Sequence, residues 1–263
     1  MLIRQKKSLG QHFLKSEKVL QIIIETARLT PPTGGGETVL EVGPGTGILT
    51  TALLAAGARV VAVEKDDRLI TFLQNKFATE IKNGKFILIH DDILKFIPSS
   101  KLEANAYKLI ANLPYYLTGQ ILRQFLTADH QPQMMILMLQ KEVAERIVAR
   151  DGKESILSIS VKAYGEPHYI TAVAAGNFDP PPKVDSAIIL IDQINKNNFC
   201  EITEEKFFKL LKQGFAGKRK MLKNNLKISS EIFKQCKISP DARAENLNLN
   251  QWLCLAKKAQ SLK

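Results

Sequence analysis

The sequence predicts an α/β fold, a doubly wound parallel sheet followed by a small C-terminal helical domain. Three observations carry that prediction. Strand-like and helix-like segments alternate five times before Arg150. A glycine turn, G-P-G-T-G at 43–47, joins the first of these strands to a helix. After Asn195 the chain turns helical and strongly basic. Alternation of this kind calls for a parallel sheet with right-handed crossovers and helices on both faces.

The elements follow in order. Ser16 is placed to cap a helix over 16–29, where Val19, Leu20, Ile23 and Ala27 recur on one apolar stripe. The Pro- and Gly-rich run 31–36 ends it. Thr38–Val42 reads as a short buried strand, and an apolar helix over 47–56 follows the glycine turn. Arg59–Glu64 is the next strand and 66–77 the next helix. Phe86–His90, 107–111 and 134–139 repeat the strand pattern, with helices over Thr118–Leu126 and 141–150. Beyond Arg150 the segments 156–164, 169–173 and 184–191 read as strands that finish one edge of the sheet. The polar, aperiodic I-N-K-N-N at 194–198 marks a domain boundary, giving domains 1–195 and 196–263. In the second domain F-F-K-L-L-K-Q-G-F at 207–215 is the clearest amphipathic helix.

The chain's 263 residues suit one large domain with a small appendage, and 45% apolar residues is ordinary globular composition. No stretch approaches the roughly 20 apolar residues of a membrane span. The basic N-terminus lacks the apolar segment of a signal peptide. Cys200, Cys236 and Cys254 are widely spaced without metal-site partners nearby, and read as reduced structural thiols of a cytoplasmic protein. The net charge is +11, and it is lopsided: from Lys196 onward 15 Lys+Arg face 6 Asp+Glu, against 22 and 20 in the rest. A smaller cluster lies at Arg4, Lys6, Lys7 and Lys15. Charge gathered in this way fits a polyanion, nucleic acid above all, because phosphates draw in cations and release counterions.

The motifs sit where strands end. Glycines at 43, 45 and 47 let the backbone turn tightly and approach a ligand, and the next helix offers free N–H groups. Glu64, at the tip of the following strand, is placed to accept both hydroxyls of a ribose. The two-and-two glycine spacing, with Glu41 ahead of it, departs from the G-x-G-x-x-G of dinucleotide sites and is typical of S-adenosylmethionine-dependent methyltransferases. In H-D-D-I-L at 90–94 either Asp91 or Asp92 offers a carboxylate to an adenine amine.

N-L-P-Y at 112–115 ends a further strand beside the position of the methyl donor. An exocyclic base amine is a poor nucleophile, because its lone pair is delocalised into the ring. The amide oxygen of Asn112 and the carbonyl of Leu113 can accept its two hydrogens. Pro114 aims that carbonyl, and Tyr115 can stack on the base. Phe178, ahead of three prolines in F-D-P-P-P-K-V-D-S at 178–186, offers a second plane. Each stacked base is worth roughly 1–3 kcal/mol.

Together these motifs resemble the ribosomal RNA adenine N6-dimethyltransferase family. The resemblance runs from S-L-G-Q-H-F-L at 8–14 through E-V-G-P-G-T-G, N-L-P-Y, M-L-Q-K-E-V-A and F-D-P-P-P-K-V-D-S. G-K-R-K-M-L-K-N-N-L and D-A-R-A-E-N-L in the tail are similar to its small-subunit branch. The resemblance implies a Rossmann-like class I methyltransferase that uses S-adenosylmethionine and no metal. It implies dimethylation of two adjacent adenines in the 3′-terminal hairpin of small-subunit RNA, within a pre-30S particle, by a monomer in the cytoplasm and away from membranes. It gives His12, Leu14, Gly43, Gly45, Glu64, Asp92 and Asn112 to the donor. Asn112, Leu113, Tyr115 and Phe178 go to the target base. Lys218, Arg219, Lys220 and Lys223 crowd one tail segment and are assigned to RNA.

The rivals are the resistance branch that methylates large-subunit RNA, a non-catalytic assembly factor, a DNA adenine methyltransferase and a dehydrogenase. The tail motifs oppose the first and the complete donor and target motifs the second. N-L-P-Y in place of D-P-P-Y opposes the third, and the glycine spacing the fourth.

Overall fold

The computed structural model describes residues 11–29, 36–104, 106–217 and 219–260. Their strands are β1 (Phe13–Leu14), β2 (Thr38–Val42), β3 (Arg59–Glu64), β4 (Phe86–His90), β5 (Tyr107–Asn112), β6 (Met134–Gln140), β7 (Glu166–Val173), β8 (Phe178–Asp179) and β9 (Ser186–Asp192). The helices are α1 (Glu17–Ala27), α2 (Ile48–Ala55), α3 (Asp67–Lys76), α4 (Ala78–Lys82), α5 (Thr118–Leu126), α6 (Lys141–Val148), α7 (Ile156–Lys162), α8 (Glu204–Gly214), α9 (Leu222–Leu226), α10 (Ser230–Gln235) and α11 (Leu249–Gln260).

Seven strands form one sheet in the order β4-β3-β2-β5-β6-β9-β7. From β4 across to β6 the pairs are parallel, with Leu40 opposite Val61 on one side and Leu109 on the other. β9 runs antiparallel to β6. The central strands are apolar on both faces because helices cover both, which explains why β2, β3, β5 and β6 read as continuous apolar runs. The strand order reverses at β2. β3 and β4 step away on one side, and β5 returns to the other. Loops leaving β2 and β5 therefore diverge, and a crevice opens at their carboxyl ends.

Local chemistry fixes the flanking elements. Ser16 Oγ accepts the Val19 N–H at 3.4 Å and caps α1, as its position in the sequence predicts. At the other end of α1 the side chain of Lys108, buried in β5, donates to the Ala27 and Arg28 carbonyls at 2.8 and 3.2 Å and pairs with Glu37 at 2.7 Å. Its ammonium meets the negative end of the helix dipole.

Two expectations are corrected. The segment 156–164, expected as a strand, forms helix α7. Leu157, Ile159 and Val161 alternate with polar residues and mimic a strand. Ser155 and Ser158 overrule the pattern by bonding each other's backbone N–H in a capping box. Cys236 and Cys254, expected as reduced thiols, are joined by a disulfide, while Cys200 is free and exposed. α10 packs against α11, and the fold brings the two α-carbons to 5.7 Å although 18 residues separate them in sequence. With Cys236 and Cys254 oxidised, the cysteines give no sign of a cytoplasmic location.

The chain divides into two compact units. One groups the described residues up to Ala144 with His168–Ile194, and the other groups Glu145–Pro167 with those from Asn195 on. The sequence reading kept 145–167 with the sheet. Within the second unit α7 packs on α8, and Tyr164 lies 5.0 and 6.0 Å from the rings of Phe199 and Phe208, so aromatic burial ties that stretch to the tail. Trp252, fully buried, stacks on Phe215 at 5.5 Å and sits against Gly214, where a β-carbon would come within 2.3 Å of its ring. Among the described residues no helix is long and apolar enough to cross a membrane.

Candidate active site

One cleft lies at the carboxyl ends of β2 to β5, within the first unit. All ten residues that the sequence assigns to donor or target line it: His12, Leu14, Gly43, Gly45, Glu64, Asp92, Asn112, Leu113, Tyr115 and Phe178. Gln11, Glu41, Lys65, Ile93 and Tyr116 join them.

The three turn glycines differ in what surrounds them. Gly43 has φ 65°, and a β-carbon there would meet nothing within 4 Å. It faces the open cleft, in a conformation that disfavours any side chain. At Gly45 a β-carbon would come within 3.0 Å of the Phe13 ring, and at Gly47 within 2.6 Å of Phe77. Those two glycines admit the protein's own side chains.

Glu64 ends β3, is 5% exposed, and is gripped by the backbone. Its carboxylate accepts the Lys65 and Asp66 N–H groups at 2.8 Å and the Gly45 N–H at 3.3 Å. Burial still holds its carboxyl above the ordinary range. Glu41, 1% exposed and bonded to Thr50 Oγ1 at 2.6 Å, is pushed up to about 8 by burial, with a smaller push from nearby Glu64. Lys76 donates to the Thr46 carbonyl at 2.8 Å, and burial lowers its own pKa. The floor of the cleft therefore carries two buried acids under a glycine loop that Lys76 pins from outside.

Asp92 lies beyond β4. Its Oδ2 pairs with Lys65 Nζ at 2.7 Å and its Oδ1 accepts the Leu94 N–H at 3.0 Å. The Lys65 ammonium holds its carboxyl below the ordinary range. The sequence left Asp91 and Asp92 equivalent before the resemblance was applied. In the fold Asp91 turns back to the Asp92 N–H at 2.7 Å. The Ile93 N–H, next to the Asp92 carboxylate, donates to no other described residue. A carboxylate beside a free N–H matches the acceptor–donor edge of an adenine.

The target side is assembled from three chain segments. Asn112 ends β5, and its Nδ2 donates to the His12 carbonyl at 3.1 Å. That bond fixes the amide orientation and leaves Oδ1 as the acceptor facing away from it. The Leu113 carbonyl accepts no hydrogen bond from another described residue. β1 pairs with β8, placing Leu14 opposite Phe178. His12 Nδ1 lies 2.8 Å from the Pro180 carbonyl, and its ring runs 26° from that of Tyr115 at 6.3 Å. Phe178 is 2% exposed, so it lines the cleft as part of the core. Tyr116 is 58% exposed at the same mouth.

Sequence reasoning missed Ile93, because a main-chain donor leaves no signature of residue type. It also passed over Gln11, although the residue stands inside S-L-G-Q-H-F-L and its amide reaches Asp66 at 3.1 Å. The basic residues lie elsewhere. Lys218 falls outside the described residues. Arg219, Lys220 and Lys223 are exposed at the start of α9 in the second unit, Lys223 lying 4.0 Å from Asp241.

Comparison with known proteins places this geometry among relatives. The sequence profile described as "Ribosomal RNA adenine dimethylase" matches residues 3–261. A ribosomal RNA small subunit methyltransferase A of Dehalococcoides mccartyi is 44% identical over 96% of this chain and 88% of its own length. Its namesake in Synechococcus elongatus is 40% identical over 95% and 93%. Among solved structures, a dimethyladenosine transferase from Plasmodium falciparum superposes with a TM-score of 0.78 at 26% identity, covering 95% of this chain and 98% of that one. The 23S rRNA methyltransferase ErmE has the same fold, with a TM-score of 0.76 at 24% identity over 94% and 99%.

Proposed function

The chain belongs to the ribosomal RNA adenine dimethylase family, and we propose that it dimethylates N6 of two adjacent adenines in the 3′-terminal hairpin of small-subunit RNA. S-adenosylmethionine is the donor in this reading, and the pre-30S particle in the cytoplasm is the substrate of a monomeric enzyme. The observation that carries the proposal is the pair of unused acceptors, Asn112 Oδ1 and the Leu113 carbonyl, at the lip of the cleft that holds Glu64 and Asp92.

The residues present fit the donor. Gly43 keeps its side of the cleft open, Glu64 Oε2, which accepts only the Gly45 N–H, has a lone pair left for a ribose hydroxyl, and Asp92 with the Ile93 N–H reads an adenine edge. Glu64, buried and held by three backbone N–H groups, suits a ligand of positive charge. When bound, the donor supplies an electrophilic methyl group on a sulfonium. Asn112 Oδ1 and the Leu113 carbonyl then accept the two hydrogens of the target amine and localise its lone pair. Pro114 holds the carbonyl in place, and Tyr115 with Phe178 confines the base. No strong base is required before transfer, because the amine becomes acidic only as it is alkylated. Positioning and fixed dipoles supply the rate. A metal has no part in this scheme, since the donor already carries the activating charge.

Identity supports the small subunit as target. The fold alone does not identify the target, because a 23S rRNA methyltransferase superposes almost as well as a dimethyladenosine transferase. Separate incubations of small-subunit and large-subunit RNA with tritiated donor test the assignment. Label is expected in the small-subunit RNA. Label confined to the large-subunit RNA would overturn the reading.

A further inference from the structure

The two aromatic residues of N-L-P-Y-Y are held very differently, and the difference points to a residue outside the cleft. Tyr115 sits on a single turn after Pro114, where no strand register fixes its side chain. Its phenol oxygen nevertheless meets Ser186 Oγ at 2.9 Å. Tyr116, the next residue, is 58% exposed.

Ser186 is 1% exposed and does not line the cleft. It opens β9 opposite Gln140 of β6, so the ladder fixes its backbone. The preceding residue is fixed too: the Asp185 carbonyl accepts the Lys141 N–H at 3.0 Å, and its carboxylate accepts the Ala175 N–H at 2.9 Å. The serine hydroxyl is thus a fixed point on the sheet, bonded to a side chain that no strand register orients.

We infer that Ser186 is a positioning residue for methyl transfer: by anchoring the phenol oxygen of Tyr115 it sets the axis of the ring against which the target base lies. The inference rests on the proposed role of Tyr115 at the target base. A ring needed only for apolar surface could be phenylalanine, and no buried hydroxyl would be required behind it. The anchor acts together with His12, whose ring runs nearly parallel to that of Tyr115 and which is itself held at the Pro180 carbonyl. Segment 178–186 therefore fixes Tyr115 from two directions, through Ser186 directly and through His12 by way of Pro180. The donor contacts on Glu64 and Asp92 lie elsewhere in the cleft and do not depend on this bond.

A double-mutant cycle tests it, read by single-turnover methyl transfer to small-subunit RNA with donor and RNA saturating. Ser186→Ala and Tyr115→Phe are each expected to slow transfer about tenfold, since small misplacements of a reacting group are costly. The double variant should be no slower than either single one, with donor affinity unchanged throughout. Rate losses that multiply, or a wild-type rate in Tyr115→Phe, would overturn the inference. Tyr115→Phe leaves Ser186 in place, so the test survives a serine variant that fails to fold. Tyr115→Ala separates the two levels of the argument. A wild-type rate there sinks the role of Tyr115 itself, while a slow Tyr115→Ala beside a fast Tyr115→Phe sinks the anchor alone.

Discussion

Asn112 joins two halves of the site through one amide. Nδ2 is spent on the His12 carbonyl at 3.1 Å, and Oδ1 remains for the target amine. Asn112→Ala is expected to leave donor affinity within about tenfold while turnover falls by about 10²–10³, the scale of losing one fixed dipole that acts in the transition state. Calorimetry for the donor and single-turnover kinetics separate the two, and a near-wild-type rate would remove Asn112 from the chemistry. The second residue-scale prediction concerns Glu41. In the fold it keeps its proton up to about 8, against an ordinary value of 4.5, because burial outweighs its bond to Thr50. The folded state therefore binds a proton that the unfolded chain has released, and stability from this group falls as pH rises through that window. Glu64 and Lys76 face the same carboxyl and are common to both proteins compared. Without donor, Tm of Glu41→Gln should gain on wild type between about pH 5 and about pH 8. A constant difference across that range contradicts the assignment.

Strand β5 shows how much one element carries. Its first half holds Lys108, whose ammonium closes the carbonyl end of α1, and its last residue is Asn112 at the cleft. Lys108→Met should cost about 1–3 kcal/mol of stability, because the buried Ala27 carbonyl, the Arg28 carbonyl and Glu37 lose a donor. Donor affinity should hold, since the ammonium and the amide sit at opposite ends of the strand. Urea titration and calorimetry check the pair of outcomes, and equal losses in both would show that the strand is not rigid between them. At this scale the sequence was most legible where periodicity and caps agree, as in α1 with Ser16 or the central strands. It misled where a short apolar alternation lay behind a cap, because Ser155 and Ser158 decide α7 by local hydrogen bonding that a count of apolar spacing overlooks. Candidate site residues were legible because they stand at strand ends, which the alternation of elements locates. The Ile93 N–H and the Ser186 anchor were not, since one belongs to the main chain and the other acts through a partner 71 residues away in sequence.

Along the chain, the candidate site and most of the net charge fall in different segments. The cleft and all ten candidate donor and target residues belong to the first unit, while most of the +11 belongs to the tail of the second. On the proposed reading that tail docks on ribosomal RNA. Neutralising Arg219, Lys220 and Lys223 together should weaken binding of the small subunit and flatten its salt dependence by about 0.9 for each phosphate left without its cation. Donor affinity should not move, and an unchanged slope would take this segment out of the RNA interface. The central claim, that one cleft methylates neighbouring adenines of small-subunit RNA twice each, is tested most directly by mass spectrometry of that RNA. Small subunits lacking the modification are incubated with enzyme and donor, and the 3′-terminal hairpin is excised and sequenced by fragmentation. The account predicts two adjacent adenosines that each gain two methyl groups on N6; unmodified adenines there, or dimethyladenosine only elsewhere in the RNA, would contradict it.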